Sequence, residues 1–472
     1  MNMEDQLRKY NESSPYRFHM PGHKGRSLYC SKEEILLYGN DITEIEGLDN
    51  LHNPKGVIKS MLDTIADVYD VQKTYMSTNG STTSLHAAIL GLTCPGDSII
   101  IARDCHKAVY NALILGDLNP IYLPVAFNEE IHLPHFTNLL DYEKTLKESD
   151  AKVVVVTYPS YFGICSDIKE IVRIAHKHSK IIIVDEAHGS HLKFSDLLPL
   201  SAEEAGADIV IQSAHKTLPA LTQTSMMHIN SSIDTSKIES YLSVLMTTSP
   251  SYLMMVSLEK SIRFMLDNGR IRLDENLNTI EKLKKEYAGA GRIFKDRDYF
   301  SANEIHDFDS TKLLFRSAEA GIIATDFKKR LRNRYSIEME MADTEYINGF
   351  MTVADQAADL RFLFQSVDDI IRREGSSTIV ETAIHTGMTV TPKIIMNIRS
   401  AFYAGKIALS LKFAAGEISG DYIIPYPPGI PLICPGEKIT EELIEIIGNL
   451  DKAGIELIGL DNGCIKVIKD NQ

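Results

Sequence analysis

The stretch "ADIVIQSAHKTLPALTQT" (207–224) decides the fold. Its first half is an apolar run of strand length, and Ser213, His215 and Lys216 follow directly at the carboxyl end. Lysines ordinarily sit on solvated surface, so one at the end of a buried strand needs a reason. Five further runs have the same character: "DSIIIAR" (97–103), "NPIYLPV" (119–125), "AKVVVVTY" (151–158), "KIIIVDEA" (180–187) and "SMMHI" (225–229). Their apolar residues are consecutive rather than alternating, which suits strands covered on both faces. Segments of helical period, "TTSLHAAILGLT" and "IKEIVRIAHKHS", lie between them. Strand, helix, strand in repetition predicts a doubly wound α/β domain. We place it at residues 59–290, after an N-terminal segment (1–58) and before a smaller α+β C-terminal domain (291–472). A long helical pattern over about 250–290 closes the larger domain.

The chain has 472 residues, 44% of them hydrophobic and 24% charged, the balance of an ordinary globular protein. A net charge of −15 argues against general nucleic-acid binding, which draws on clustered Lys and Arg. Six cysteines are scattered with no C-x-x-C pair, which favours a reducing compartment over a disulfide framework or a zinc ribbon. The N-terminus lacks a signal-peptide core, and the longest apolar runs are strand-length, so we expect a cytoplasmic protein with no membrane span.

In an open α/β sheet, ligands sit outside the carboxyl ends of the strands. Those ends carry His106, then Thr157 with Tyr158, then Asp185, Glu186 and His188, then Ser213, His215 and Lys216. Asp185 and Lys216 are about thirty residues apart, one strand–helix–strand step, so they reach neighbouring strand ends. Upstream, Gly80, Ser81 and Thr82 open an apolar-periodic helix, where backbone N–H groups, hydroxyls and the helix dipole favour an anion. Each feature alone has an ordinary explanation: an N-cap, a surface lysine, a salt-bridged aspartate, a buried histidine. Together, an anion cradle, an imine-forming lysine, a carboxylate and a flat ring are what pyridoxal 5′-phosphate needs.

At these residues the sequence resembles the prokaryotic ornithine/lysine/arginine decarboxylase family, pyridoxal-phosphate enzymes with the aspartate aminotransferase-like fold. The matching segments are "FHMPGHKGR" (18–26), "DITEIEGLDNLHNPKGVI" (41–58), "NGSTTS" (79–84) and "RDCHKAVYNAL" (103–113). They continue with "VVVTYPSYFGICSDI" (154–168), "IIIVDEAHGSHLKF" (181–194), "QSAHKTLPALTQTSMMH" (212–228), "TTSPSY" (247–252) and "YPPGIPLICPGE" (426–437). The resemblance runs from His19 to Glu437 and is to the compact members, without a wing domain before the His19 motif. It implies a mixed, mostly parallel seven-stranded sheet in the larger domain. It also implies decarboxylation of arginine, lysine or ornithine to the corresponding amine for polyamine synthesis.

The resemblance further implies roles on matching positions. Lys216 forms the imine with the cofactor, Asp185 pairs with its ring nitrogen, and His106 stacks on the ring. Gly80, Ser81, Thr82, Ser213 and His215 hold the phosphate, and Thr157 lies along the cofactor. His188 faces the substrate carboxylate or returns the proton. Family members are dimers or larger with sites at the subunit interface, so Thr248 and Ser249 are expected to reach a neighbour's phosphate. Two positions depart from the family pattern: Glu46 stands where Pro is common, and Met20 where Thr is commoner. The distal cation of the substrate calls for carboxylates, and Asp41, Glu44, Asp49 and Glu340 are the candidates.

Four rival readings have sequence support. An aminotransferase would use the same lysine plus an arginine, such as Arg399, for the substrate carboxylate. "DEAH" (185–188) is also a helicase box, but no G-x-x-x-x-G-K-[ST] loop precedes it. Asp185, His188 and His191 have metal-ligand types, without a further cluster to complete a site. A catalytically dead homologue would have no need to keep Lys216, Asp185 and His106 together.

Overall fold

The structure is a computed structural model that describes residues 2–13, 17, 20–21, 23–24, 38–136, 138–376, 378, 390–426 and 429–469. Parts of the 18–26 motif, His19 among them, and Pro427 and Pro428 lie outside the described residues.

Seven strands make the main sheet: β1 (Lys73–Ser77), β2 (Ser98–Ala102), β3 (Asn119–Leu123), β4 (Val153–Thr157), β5 (Ile181–Asp185), β6 (Ile209–Gln212) and β7 (Ser225–Ile229). Their order is β1-β7-β6-β5-β4-β2-β3. β2 runs parallel to β3 and β4, and β5 parallel to β6, while β7 is antiparallel to both its neighbours. The expected mixed, mostly parallel sheet is what forms. All six apolar runs named above become strands. The seventh strand, β1, has no such run, because it is an edge strand whose first residue, Lys73, is exposed.

The chain divides into two compact units. The first comprises Met1–Leu92, Ile183–Ser195 and Leu200–Arg270; the second comprises Thr93–Ile182, Asp196–Pro199 and Ile271–Gln472.

In the first unit, α1 (Val57–Tyr69) buries Ile58, Met61, Leu62 and Ile65, the i, i+3, i+4, i+7 stripe of an amphipathic helix. Its start is organised by Asp49, whose carboxylate accepts from the N–H groups of Asn50, Lys55, Gly56, Ile58 and Lys59 at 2.7–3.3 Å. Although burial opposes it, these donors hold the Asp49 carboxyl below its usual range. Asp49, a candidate for the substrate's distal cation, is therefore spent on backbone. α2 (Gly80–Leu92) follows β1 directly and buries Leu85, Ala88 and Ile89.

In the second unit, β4 buries four consecutive valines, each contributing roughly 1.5–3 kcal/mol. α3 (Lys107–Gly116) follows β2, and α4 (Ile168–Lys177) follows β4. Asp167 caps α4 by accepting from the Glu170 N–H at 3.0 Å. A four-stranded antiparallel sheet is ordered Phe294–Lys295, Lys312–Arg316, Tyr346–Phe350, Met341–Ala342. Towards the C-terminus, helix Glu441–Lys452 buries Leu443, Ile447 and Leu450 against Ile423, Ile433 and Ile465. Arg399, the candidate for an aminotransferase's substrate grip, donates through Nη1 to the carbonyls of Ile114 and Leu115 at 3.2 and 2.9 Å.

Among the described residues no helix is long and apolar enough to cross a membrane, and no group of three or more His, Cys, Asp and Glu side chains is arranged to hold a metal ion.

Candidate active site

In the first unit, β1 ends at Ser77 and the chain turns through Gly80 into α2. Gly80 has φ +73°, a left-handed conformation that a side chain would strain, and its N–H donates to the Gln223 carbonyl at 2.8 Å. This turn aims the first residues of α2 at the end of β6. The buried Ser81 hydroxyl accordingly lies 2.7 Å from the Ser213 hydroxyl. Thr82, beside it, is exposed on the first turn.

After Ser213 one helical turn, Ala214–Thr217, carries His215 and Lys216. His215 Nδ1 lies 3.0 Å from the Thr224 carbonyl, so Nδ1 carries the hydrogen. Burial lowers the His215 pKa and the Lys216 charge adds to that, though the Thr224 bond opposes both. The neutral ring is favoured, and in that form Nε2 is an acceptor. To serve an anion, His215 has to take up a proton that the anion itself would stabilise.

Asp185, the last residue of β5, is 4% exposed and accepts from the Ala187 N–H at 3.2 Å. Burial pushes its carboxyl above the ordinary range, while the Lys216 charge and the Ala187 N–H pull it back. Three residues on, buried His188 places Nε2 3.0 Å from Lys216 Nζ. An ammonium donates to the Nε2 lone pair; a neutral amine accepts from an Nε2–H. Either way the pair is a route for one proton.

In the second unit, His106 caps α3, its Nδ1 accepting from the Ala108 N–H at 3.2 Å. The C-terminal motif packs on its ring: the Lys107 N–H donates to the Gly429 carbonyl at 3.0 Å. A Cβ at Gly429 would come within 3.1 Å of His106 Cδ2 and Nε2. Thr157, at the end of β4, donates to Cys105 Sγ at 3.7 Å.

Ser81 with Ser213, and Asp185 with His188 and Lys216, are thus brought together as expected. Thr248 and Ser249 are exposed, and Ser249 donates to Glu44 Oε2 at 3.3 Å. Sequence reasoning missed Arg103. This buried guanidinium donates to the Tyr110 hydroxyl, the Pro431 and Leu432 carbonyls and Glu437, tying the 103–113 motif to the 426–437 motif. It named Glu186 at a strand end without giving it a role, and missed buried Glu203 and Gln212 behind the strand ends. Its place at the end of an otherwise buried run marks Arg103 as unusual in the sequence, but its partners are set only by the folded chain.

Comparison with known proteins decides the family. The model for the Orn/Lys/Arg decarboxylase major domain matches residues 3–312, and that for the C-terminal domain of the same family matches residues 386–459. The chain belongs to the Orn/Lys/Arg decarboxylase family. It is 33% identical to the arginine decarboxylase of Bacillus subtilis (strain 168) over 471 residues, 98% of this chain and 96% of that relative. It is 23% identical to the inducible lysine decarboxylase of Escherichia coli (strain K12), covering 96% of this chain and 78% of that one. Among solved structures, the lysine decarboxylase of Francisella novicida matches with a TM-score of 0.84 at 20% identity, over 99% of this chain and 81% of its own, which shows the shared fold.

A member of the Orn/Lys/Arg decarboxylase family is a pyridoxal-phosphate-dependent decarboxylase of a basic amino acid. The residues present fit that cofactor. Lys216 offers the amine, the two hydroxyls and the helix N-terminus suit a phosphate, and the buried Asp185 carboxylate suits a cationic ring nitrogen.

Proposed function

We propose that the chain decarboxylates arginine to agmatine and carbon dioxide, with Lys216 carrying the cofactor. The Lys216–His188 contact beside buried Asp185 carries this reading: it puts an amine, a proton partner and a carboxylate at neighbouring strand ends. Arginine is favoured over lysine because relatives named arginine decarboxylase share 28–33% identity, against 22–23% for those named lysine decarboxylase.

When bound, the cofactor supplies an electron sink for the pair left by departing carbon dioxide. Gly80, Ser81, Thr82, Ser213 and His215 would hold its phosphate and Asp185 its ring nitrogen, with His106 and Thr157 as further proposed cofactor contacts. Lys216 and His188 hold the proton that goes to the substrate α-carbon, and His188 is buried, which limits competing water on its side of the pair. For the distal guanidinium, Glu44 is the best candidate. Its Oε1 is buried with no hydrogen-bond partner among the described residues, whereas Asp49 is engaged by backbone and Glu340 by the Tyr161 hydroxyl at 2.6 Å. We further propose a cytoplasmic homo-oligomer in which Thr248 and Ser249 meet a second copy.

The test supplies arginine, lysine and ornithine separately to cofactor-loaded protein and measures carbon dioxide and amine. Agmatine from wild type and none from Lys216→Ala is the expected result. Cadaverine or putrescine as the main product overturns the substrate; no carbon dioxide from a protein that binds the cofactor overturns the reaction.

A further inference from the structure

Behind the strand ends that carry Asp185 and Ser213 lies a buried polar network with no part in the reaction above. Glu186, unexposed, accepts from the Ala202 N–H through Oε1 at 2.7 Å and from Gln212 Nε2 through Oε2 at 2.6 Å. Gln212 Oε1 lies 3.2 Å from His228 Nε2, and His228 Nδ1 lies 2.9 Å from the Thr74 hydroxyl. An amide oxygen only accepts, so His228 carries its hydrogen on Nε2 and Thr74 donates to Nδ1. Every bond in this chain from β1 through β7 and β6 to the residue after β5 therefore has a fixed direction. Tyr69 stacks on His228 with ring centroids 4.5 Å apart, and its hydroxyl donates to the Ser190 carbonyl at 2.8 Å. The segment 185–191 is thus held at both ends.

Successive residues of an extended chain project to opposite sides. Glu186 and Gln212 are each one residue from a side chain assigned to the cofactor, and they face the other way. We infer that Glu186 is a positioning residue, a clamp between the ends of β5 and β6 that sets the spacing of Asp185 and Ser213. Both Glu186 oxygens accept from N–H donors, which calls for its carboxylate form. Burial and mutual repulsion raise both the Glu186 and the Glu203 carboxyl, so the buried pair shares a proton. The inference rests on the assignment of Asp185 and Ser213 to the cofactor.

The test exploits bond direction. Glu186→Gln turns an amide donor against the Gln212 donor, and Gln212→Glu sets two carboxylates together. The double variant Glu186→Gln/Gln212→Glu restores one donor and one acceptor at the 186–212, Ala202 and His228 contacts, leaving only the longer 3.5 Å contact of Gln212 with Glu203 as two carboxyls that need a shared proton. The readouts are the dissociation constant of pyridoxal phosphate, from its absorption spectrum, and kcat and KM for the substrate. Each single variant should weaken cofactor binding and lower kcat by about tenfold or more with KM little changed, and the double variant should recover most of both. Glu203→Gln, which mimics the protonated acid, should bind cofactor like wild type. Unchanged cofactor binding in Glu186→Gln, or a double variant no better than the singles, overturns the inference. If Glu186→Gln does not fold, the double variant decides: wild-type-like cofactor affinity supports the clamp, and poor folding or about tenfold weaker binding overturns it. A wild type that does not bind the cofactor, or binds it no better than Lys216→Ala does, fails the assignment of the site instead.

Discussion

Arg103 and Glu437, 334 residues apart in sequence, form an ion pair with Nη2 and Oε2 3.3 Å apart, and their side chains are 2% and 1% exposed. Glu437 also accepts from the Cys434 N–H at 2.7 Å, so the carboxylate fixes the turn at 434–437 as well. Removing one partner of such a pair strands a buried charge. Glu437→Gln should therefore lose about 3–5 kcal/mol in urea unfolding. Arg103→Met/Glu437→Leu, which removes both charges, should lose less than the sum of its single variants.

Lys216→Ala should abolish amine production and the visible colour of the loaded enzyme. Asp185→Asn should keep its fold and bind the cofactor, yet lose about two or more orders of magnitude in kcat, about 2.7 kcal/mol of barrier. Single-turnover kinetics and absorption spectra read both. Near-normal kcat in Asp185→Asn would show that its charge is not used.

Stability should depend on pH through Glu203. Burial pushes its pKa to about 7, above the ordinary 4.5, so between these values the folded protein holds more protons than the unfolded chain. Stability is full below the lower value and falls as pH rises towards the higher, by up to about 1.4 kcal/mol per pH unit. Glu203→Gln should show a smaller fall, the remainder belonging to Glu186, whose carboxyl burial also raises. His228, lowered by burial to about 3, has the opposite slope in both proteins, so it cancels in the difference between their unfolding curves.

Asp49→Asn tests whether that carboxylate is structural. Its acceptance of N–H bonds at the start of α1 predicts a loss of about 1–2 kcal/mol in thermal unfolding. KM for arginine should stay close to wild type. A large rise in KM would return Asp49 to the substrate site.

The six strands that were legible are runs such as "VVVV" and "IIIV", covered on both faces. β1 was not, because "KTYMS" mixes a charged end with polar residues at the sheet's edge. Lys216, Asp185, His188 and Ser213 were legible because strand ends are where such folds bind ligands. Arg103 with Glu437, and Glu186 with Gln212, were not, since their partners are set by the folded chain. Charged residues also read as surface until a partner is known. For Asp49 the residue type suggested a substrate cation, while the five donors its carboxylate meets are backbone groups that no motif announces.

The Ser81–Ser213 pair has a consequence for how anion affinity is distributed. Each hydroxyl owns a single hydrogen, and with the two oxygens 2.7 Å apart one of those hydrogens is occupied by the other oxygen. An incoming oxyanion that takes both gains only one hydrogen bond overall, because the internal bond is surrendered. The hydroxyls act as mutual reserves: delete either, and the survivor turns fully to the anion. Losing the first should be cheap and losing the second dear, so their two contributions are strongly non-additive.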